Sequence, residues 1–253
     1  MNFVGIIPAR YASTRFPGKP LVDICGKPMI QRVYEQAKKA LDTVIVATDD
    51  ERIYNTVKAF GGEVCMTDAA CRCGTERCQQ VAAQLHLDDN DVVINIQGDE
   101  PFIQPSQIDA IRSCFTADGA HTQIATLVKP FTQEDSLSDL ENPNTPKVVF
   151  APNGNALMFS RSVIPYLRGI EREQWLTQGK HYRHIGMYAY RADVLAQIVL
   201  LPPTPTEMAE SLEQLRWLEN GYTIRVAVCD TYSMGIDTPA DLEQAIHYLS
   251  TNS

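Results

Sequence analysis

Short β-branched runs recur along the chain and restrict it more than any other feature: FVGII (3–7), TVIVAT (43–48), DVVINI (91–96), QIATLV (123–128), VVF (148–150) and TIRVAV (223–228). Several are apolar throughout, as expected of strands buried on both faces of a parallel sheet. Helical patterns separate the first of them. PMIQRVYEQAKKAL places Pro28 near a favourable first-turn position and Met29, Val33, Ala37 and Leu41 at helical spacing, and ERIYNTVKAF follows the second run. Strand–helix–strand alternation predicts right-handed crossovers and an α/β layered sheet. At 253 residues the chain exceeds the usual domain size, yet open α/β sheets of this length fold as one unit, so residues 1–253 are read as a single domain.

The middle changes character. From about 129 to 160 the sequence is rich in Pro, Asn and acidic residues, with short strands and a turn at PNGN, and RHIGMYAYR (183–191) reads as the return strand. An inserted subdomain over about 129–190 is the expectation. The last helix is well marked: in IDTPADLEQAIHYL, Thr238 stands at the N-cap, Pro239 at the first position and Asp241 at the third.

The stretch PARYASTRFPGKPL (8–21) follows the first apolar run and concentrates Arg10, Arg15 and Lys19 in a chain of net charge -9. In open α/β sheets ligands bind beyond the carboxyl ends of the strands. There Gly18 and the small Ala9, Ala12 and Ser13 let backbone amides approach a phosphate, while the cations neutralise its oxygens. A small anionic ligand, most economically a triphosphate, fits this pattern; a merely solvated loop is the alternative. The pattern is neither GxGxxG nor GxxxxGK[ST], so dinucleotide binding and P-loop hydrolysis lose support. The acidic balance argues against nucleic-acid binding. No apolar run approaches the roughly 18 residues that span a bilayer, and the first residues lack the pattern of a signal peptide, so no membrane role and a cytoplasmic location are expected. Seven scattered cysteines fit a reducing compartment. Cys71, Cys73 and Cys78 lack the paired CxxC spacing of a zinc site.

Asp99 and Glu100 follow the third apolar run and precede Pro101. Two acids at that edge suit a hard cation such as Mg²⁺ that bridges carboxylate and phosphate oxygens; a helix N-terminal role before PSQIDAIRSCF is the alternative. Asp237 sits in a similar place before the last helix, where a capping role and a ligand role are equally open.

PARYASTRFPGKPL, GTER (74–77), NIQGDEP (95–101), RHIGMYAYR (183–191), LEQLR (212–216) and GIDTPADL (235–242) occur in one order over nearly the whole chain. Together they resemble the 3-deoxy-manno-octulosonate (Kdo) cytidylyltransferases, or CMP-Kdo synthetases. The resemblance implies a Rossmann-like, mostly parallel sheet of the nucleotide-diphospho-sugar transferase type, with a small inserted dimerisation and sugar-binding subdomain. It implies attack of the anomeric hydroxyl of Kdo on the α-phosphate of CTP, for lipopolysaccharide synthesis, by a homodimer using Mg²⁺ held by Asp99 and Asp237. Arg10 and Lys19 would act with these aspartates in catalysis. Ala9, Arg10, Ser13, Thr14, Arg15, Lys19, Cys73, Gly74, Arg77 and Gln97 would form the CTP site, and Arg161, His184, Tyr188, Glu213 and Gln214 the sugar site.

Cys73 departs from the family pattern, which has serine before GTER, and a thiol is the weaker hydrogen-bond partner. Taken alone, Arg77 would read as a surface ion pair, His184 as a polar residue on a strand face and Glu213 as a solvated helix position. Two rivals stand beside this reading: a cytidylyltransferase for sialic acid or a related acidic sugar, and a nucleotide-binding relative without catalysis.

Overall fold

The apolar runs become strands and the amphipathic segments between them become the helices that cover them. The computed structural model describes residues 1–12, 16–117, 121–231 and 235–251. In chain order the first elements are β1 (Phe3–Ala9), the short pair β2 (Asp23–Ile24) and β3 (Lys27–Pro28), α1 (Met29–Ala37), β4 (Thr43–Thr48), α2 (Glu51–Ala59), β5 (Glu63–Met66), α3 (Gly74–Gln84), β6 (Val92–Asn95) and α4 (Pro105–Thr116). They are followed by β7 (Ile124–Pro130), α5 (Leu137–Glu141), β8 (Lys147–Phe150), β9 (Ala156–Ser160), α6 (Trp175–Gln178) and β10 (Tyr182–Arg191). The chain continues through α7 (Ala192–Ile198), α8 (Pro205–Glu210), α9 (Gln214–Glu219), β11 (Ile224–Val228) and α10 (Pro239–Thr251).

The chain divides into two compact units. The first comprises Met1–Asp109, Ala189–Val199 and Ser233–Ser253. Its strands run β5–β4–β1–β6, all parallel, with Ala9 of β1 level with Thr48 of β4 and Ile6 level with Asn95 of β6. Parallel strands end at the same edge, so the segments that follow β1, β4 and β6 emerge together. The inner strands are apolar on both faces, as their sequences require: Ile6, Ile7, Val44, Val46, Val93 and Ile94 are all fully buried. α10 begins as expected. Thr238 Oγ1 accepts from the Asp241 amide at 3.2 Å, and Asp241 Oδ2 accepts from the Thr238 amide at 2.8 Å. Ile236 and Ala245 then pack with Ile24 and Met29, and Phe102 meets Tyr248 edge to face at 5.4 Å.

The second unit comprises Ala110–Tyr188 and Leu200–Tyr232. β11 and β7 are parallel, β7 neighbours β10, and the hairpin β8–β9 joins antiparallel to β10 at Arg183 and Lys147. The PNGN turn closes that hairpin: Gly154 has φ +83°, and its amide donates to the Ala151 carbonyl at 2.8 Å. Lys147 is fully buried, and its ammonium donates to the carbonyls of Asn142 and Arg161 at 3.0 and 2.5 Å. These bonds tie the Pro-rich stretch to the hairpin. Phe131, Leu140 and Trp175 form a separate apolar cluster beneath the remaining loops.

The sheet is mixed, mostly parallel and flanked by helices: the α/β layering expected from the alternating runs, and the Rossmann-like arrangement that the resemblance implied. Three strands were not read in the sequence: β5, EVCM, is only half covered and carries no alternation, and the pair β2–β3 closes on a Cys25–Gly26 turn with φ +50° and +80°. Gly26 suits such a turn, whereas cysteine is unusual there.

Gly98 marks a close approach within the first unit. A Cβ at this position would stand 2.8 Å from the backbone oxygen of Pro8. Gly98→Ala is expected to destabilise by about 1–3 kcal/mol through overpacking, which urea unfolding measures.

Candidate active site

In the first unit, the residues beyond β1, β6 and the start of α10 meet around one ammonium. Lys19 Nζ donates to Asp99 Oδ2 at 2.7 Å and to Asp237 Oδ1 at 3.0 Å. Burial disfavours the lysine charge, but the two carboxylates outweigh it and raise the pKa. A backbone bond sets the aspartates side by side: the Ile236 amide donates to the Asp99 carbonyl at 2.9 Å. Lys19 itself opens a short 3₁₀ turn (Lys19–Leu21) after Gly18, whose φ of +72° puts it in the left-handed region. α4 starts only at Pro105, and Asp99 faces Lys19 instead of the helix N-terminus. Asp237 leaves the capping to Thr238 and Asp241.

Two carboxylates converging on one cation are the donor set of a hard-metal site, and the position held by the ammonium is one that a small divalent cation fits. Among the described residues there is no group of three or more His, Cys, Asp or Glu side chains arranged for a metal. The remaining ligands of a cation at Asp99 and Asp237 would therefore come from substrate oxygens and water.

Ala9 is buried at the end of β1 and Arg10 is exposed just beyond it. Ser13, Thr14 and Arg15 lie outside the described residues. Tyr11, absent from the sequence reading, closes the loop: its carbonyl accepts from the Gly18 amide at 2.9 Å, and the Arg52 guanidinium lies 3.2 Å from its ring centroid. Cys73 is the N-cap of α3, and its thiol makes no capping bond; serine, the residue usual in the family, is among the best caps. Gly74 opens α3 against Pro8, where a Cβ would come within 3.3 Å of the proline ring. Gln97 is half-buried in the turn after β6.

Arg77 is fully buried rather than on the surface. Its guanidinium donates to Thr67 Oγ1 and, at 2.9 Å, to Asp49 Oδ2 just beyond β4. Burial pushes the Cys71 thiol pKa up against the pull of Arg77. Asp49 was not singled out in the sequence, although an acid directly after a buried strand is the signal that marked Asp99.

The residues expected around the sugar lie in the second unit. His184 and Tyr188 stand on one face of β10, with ring centroids 5.3 Å apart; His184 meets Phe159 edge-on and Tyr188 meets Trp217 in the same way. Gln214 is 4% exposed, and its Nε2 is buried without a partner. A buried orphan donor is costly unless something accepts from it, and a ligand oxygen would do so. Glu213 precedes α9, and its charge joins burial in raising the Tyr188 pKa well above the usual range. Arg161 is differently engaged. Its guanidinium donates to the carbonyls of Glu210, Pro143 and Ser211 at 2.5, 2.7 and 3.2 Å, holding the turn at Ser211 that leads to Glu213 and Gln214.

A cationic loop and paired aspartates beyond the ends of parallel strands form the framework of a nucleotidyltransferase. A profile described as cytidylyltransferase matches residues 4–224. The 3-deoxy-manno-octulosonate cytidylyltransferase of Parabacteroides distasonis is 61% identical over 99% of both chains, and that of Bacteroides thetaiotaomicron 57% identical over the full length of both. Among solved structures, a CMP:2-keto-3-deoxy-manno-octonic acid synthetase complexed with CTP superimposes over the whole of both chains with a TM-score of 0.90 and 40% identity. A glucose-1-phosphate thymidylyltransferase structure from Bacillus anthracis shares the fold at a TM-score of 0.63 and 18% identity, covering 97% of this chain and 94% of its own. The chain belongs to the 3-deoxy-manno-octulosonate cytidylyltransferase family.

Burial lowers the His184 pKa from 6.5 to about 3. The unfolded chain takes up a proton below about 6.5, whereas the folded chain refuses it until about 3. Stability from this group is therefore complete above 6.5 and lost as pH falls through that window. Between pH 7 and pH 5 the wild type should lose roughly 2 kcal/mol more than His184→Asn, by urea unfolding at the two pH values.

Proposed function

We propose that this enzyme activates Kdo with CTP, giving CMP-Kdo and pyrophosphate for lipopolysaccharide synthesis in the cytoplasm. The observation that supports it most directly is the convergence of Asp99 and Asp237 on Lys19, in the unit that also carries the loop after β1. The solved relative complexed with CTP, at 40% identity over the full chain, supports the nucleotide, and the names of the curated relatives support the sugar.

In the proposed reaction the anomeric oxygen of Kdo forms a bond to the α-phosphorus of CTP, and the bond from that phosphorus to the bridging oxygen of pyrophosphate breaks. The hydroxyl proton passes to solvent. Positioning and charge stabilisation carry most of such a transfer. Arg10 and Lys19 bind the phosphates and neutralise charge developing on them. Gly74 and Cys73, at the start of α3, offer backbone amides to the nucleotide, with Gln97 beside them. Arg77, held by Asp49 and Thr67, keeps the start of α3 in place. Asp99 and Asp237 would hold Mg²⁺, releasing Lys19 toward the phosphates. Mg²⁺ held there would supply positive charge that lowers the pKa of the attacking hydroxyl and offsets charge developing in the transfer.

In the sugar site, His184, Tyr188, Glu213 and Gln214 contact the hydroxyls and Arg161 orders the turn beside them. Retention of both aspartates distinguishes the catalytic reading from a nucleotide sensor, which needs only binding. No helix among the described residues is long and apolar enough to cross a membrane.

The segment 129–190 is also the proposed surface for a homodimer. Leu157 on β9 is 64% exposed, and a groove lined by Val148, Phe150, Pro152, Pro165 and Tyr182 runs along the same hairpin. Such an apolar face suits a second copy. Sedimentation velocity should give twice the 28.2 kDa chain mass, and Leu157→Glu should shift it toward the monomer; a wild-type monomer at all concentrations removes this part of the reading.

Pyrophosphate release should require CTP, Kdo and Mg²⁺ together, with ATP, GTP and UTP inactive and sialic acid a poor replacement. Asp99→Ala and Asp237→Ala should each lower turnover by at least about a hundredfold while leaving the unfolding curve nearly unchanged. Full activity in either variant would remove that residue from the metal site, and activity with sialic acid alone would move the sugar.

A further inference from the structure

Thr126 stands in the middle of β7, fully buried within the apolar run IATLV. A threonine hydroxyl has one proton to donate and two lone pairs to accept with. Beside the Tyr188 phenol, which can donate to it, three groups surround this one. Oγ1 lies 2.9 Å from the Met187 carbonyl oxygen, 3.3 Å from the Ile185 carbonyl oxygen and 3.0 Å from His184 Nε2. The two carbonyls can only accept, so the hydroxyl proton belongs to one of them. Were it turned toward the imidazole, Oγ1 would face both oxygens lone pair against lone pair. The remaining contact is attractive only if His184 Nε2 carries a hydrogen and donates it to Oγ1.

That assignment leaves Nδ1 of His184 as a bare lone pair. Nδ1 has no hydrogen-bond partner among the described residues, while Phe159 and Tyr188 fix the plane of the ring. Between His184 and Tyr188 on the same strand face stands Gly186, and nothing lies within 4 Å of where its Cβ would be. Open space therefore adjoins the two rings. Burial keeps the imidazole neutral, with its pKa at about 3, so a second ring proton is absent at physiological pH.

We propose that Thr126 is a positioning residue that fixes His184 as its Nε2–H tautomer and thereby makes Nδ1 an acceptor for a hydroxyl of the acidic sugar. The assignment rests on the reading of His184 as a sugar-binding residue. Its consequence is a specificity rule: at this point the enzyme recognises a hydroxyl as a donor, and a sugar lacking that hydroxyl, or carrying it as an ether, leaves Nδ1 unsatisfied and binds weakly.

Nitrogen–proton correlation NMR of the folded wild type tests the tautomer directly, with the ring proton expected on Nε2; a proton on Nδ1 overturns the proposal, whatever the variants do. Thr126→Val is nearly isosteric and removes only the hydroxyl. It should raise the KM for Kdo roughly tenfold, leave the KM for CTP unchanged and loosen the tautomer preference, and Thr126→Ser should restore the Kdo KM and the tautomer. An unchanged Kdo KM in folded Thr126→Val, alongside a raised one in His184→Ala, also overturns it. The underlying reading fails separately: an unchanged Kdo KM in His184→Ala removes His184 from the sugar site and with it the acceptor role, while the spectrum still decides whether Thr126 sets the tautomer.

Discussion

Two ionised carboxylates repel each other unless a cation lies between them, and the ammonium of Lys19 holds that place between Asp99 and Asp237. The rest of the first unit is arranged around that meeting. β1 delivers the loop that carries Lys19, β6 delivers Asp99, and α10 is docked by Ile236 and Ala245 so that Asp237 arrives at its start. The Ile236 amide bonded to the Asp99 carbonyl converts helix packing into carboxylate spacing.

The second unit uses buried polarity in another way. Lys147 and Arg161 donate to backbone carbonyls that a Pro-rich, irregular stretch cannot pair within itself. Thr126 does the same for one carbonyl of β10, with a second close by, and engages His184 at the same time. Such groups are costly when unpaired, so a polar network in an apolar layer fixes one arrangement of the rings above it. Gln214 Nε2 is one of the buried donors that find no partner among the described residues.

Much of the fold was legible because the inner strands are buried on both faces and so must be apolar throughout. TVIVAT appears as a strand with the bounds read from it, and Thr238, Pro239 and Asp241 form the expected helix start. β5 was not legible, since an edge strand that is half exposed needs no alternation, and the Cys25–Gly26 turn used a residue seldom found with positive φ. The cationic loop and Asp99 announced themselves by position after a buried run. Arg77 could not be placed by sequence: a lone arginine near a helix start gives no sign that Asp49 and Thr67 will enclose it.

By itself the sequence determined the layered α/β class, the edge at which charged residues gather and, through six ordered motifs, the family. The first two are properties of local pattern, written in periodicity and spacing, and the family rests on the resemblance of the motifs. Tertiary structure alone decided that residues 19, 99 and 237 share one point, that Arg161 grips backbone carbonyls, and that the Thr126 hydroxyl meets a ring nitrogen of a histidine on the neighbouring strand. Each of these depends on contacts between residues far apart in the chain, and the partner of a buried charge or hydroxyl is set by which strands and helices pack together, not by its neighbours in sequence.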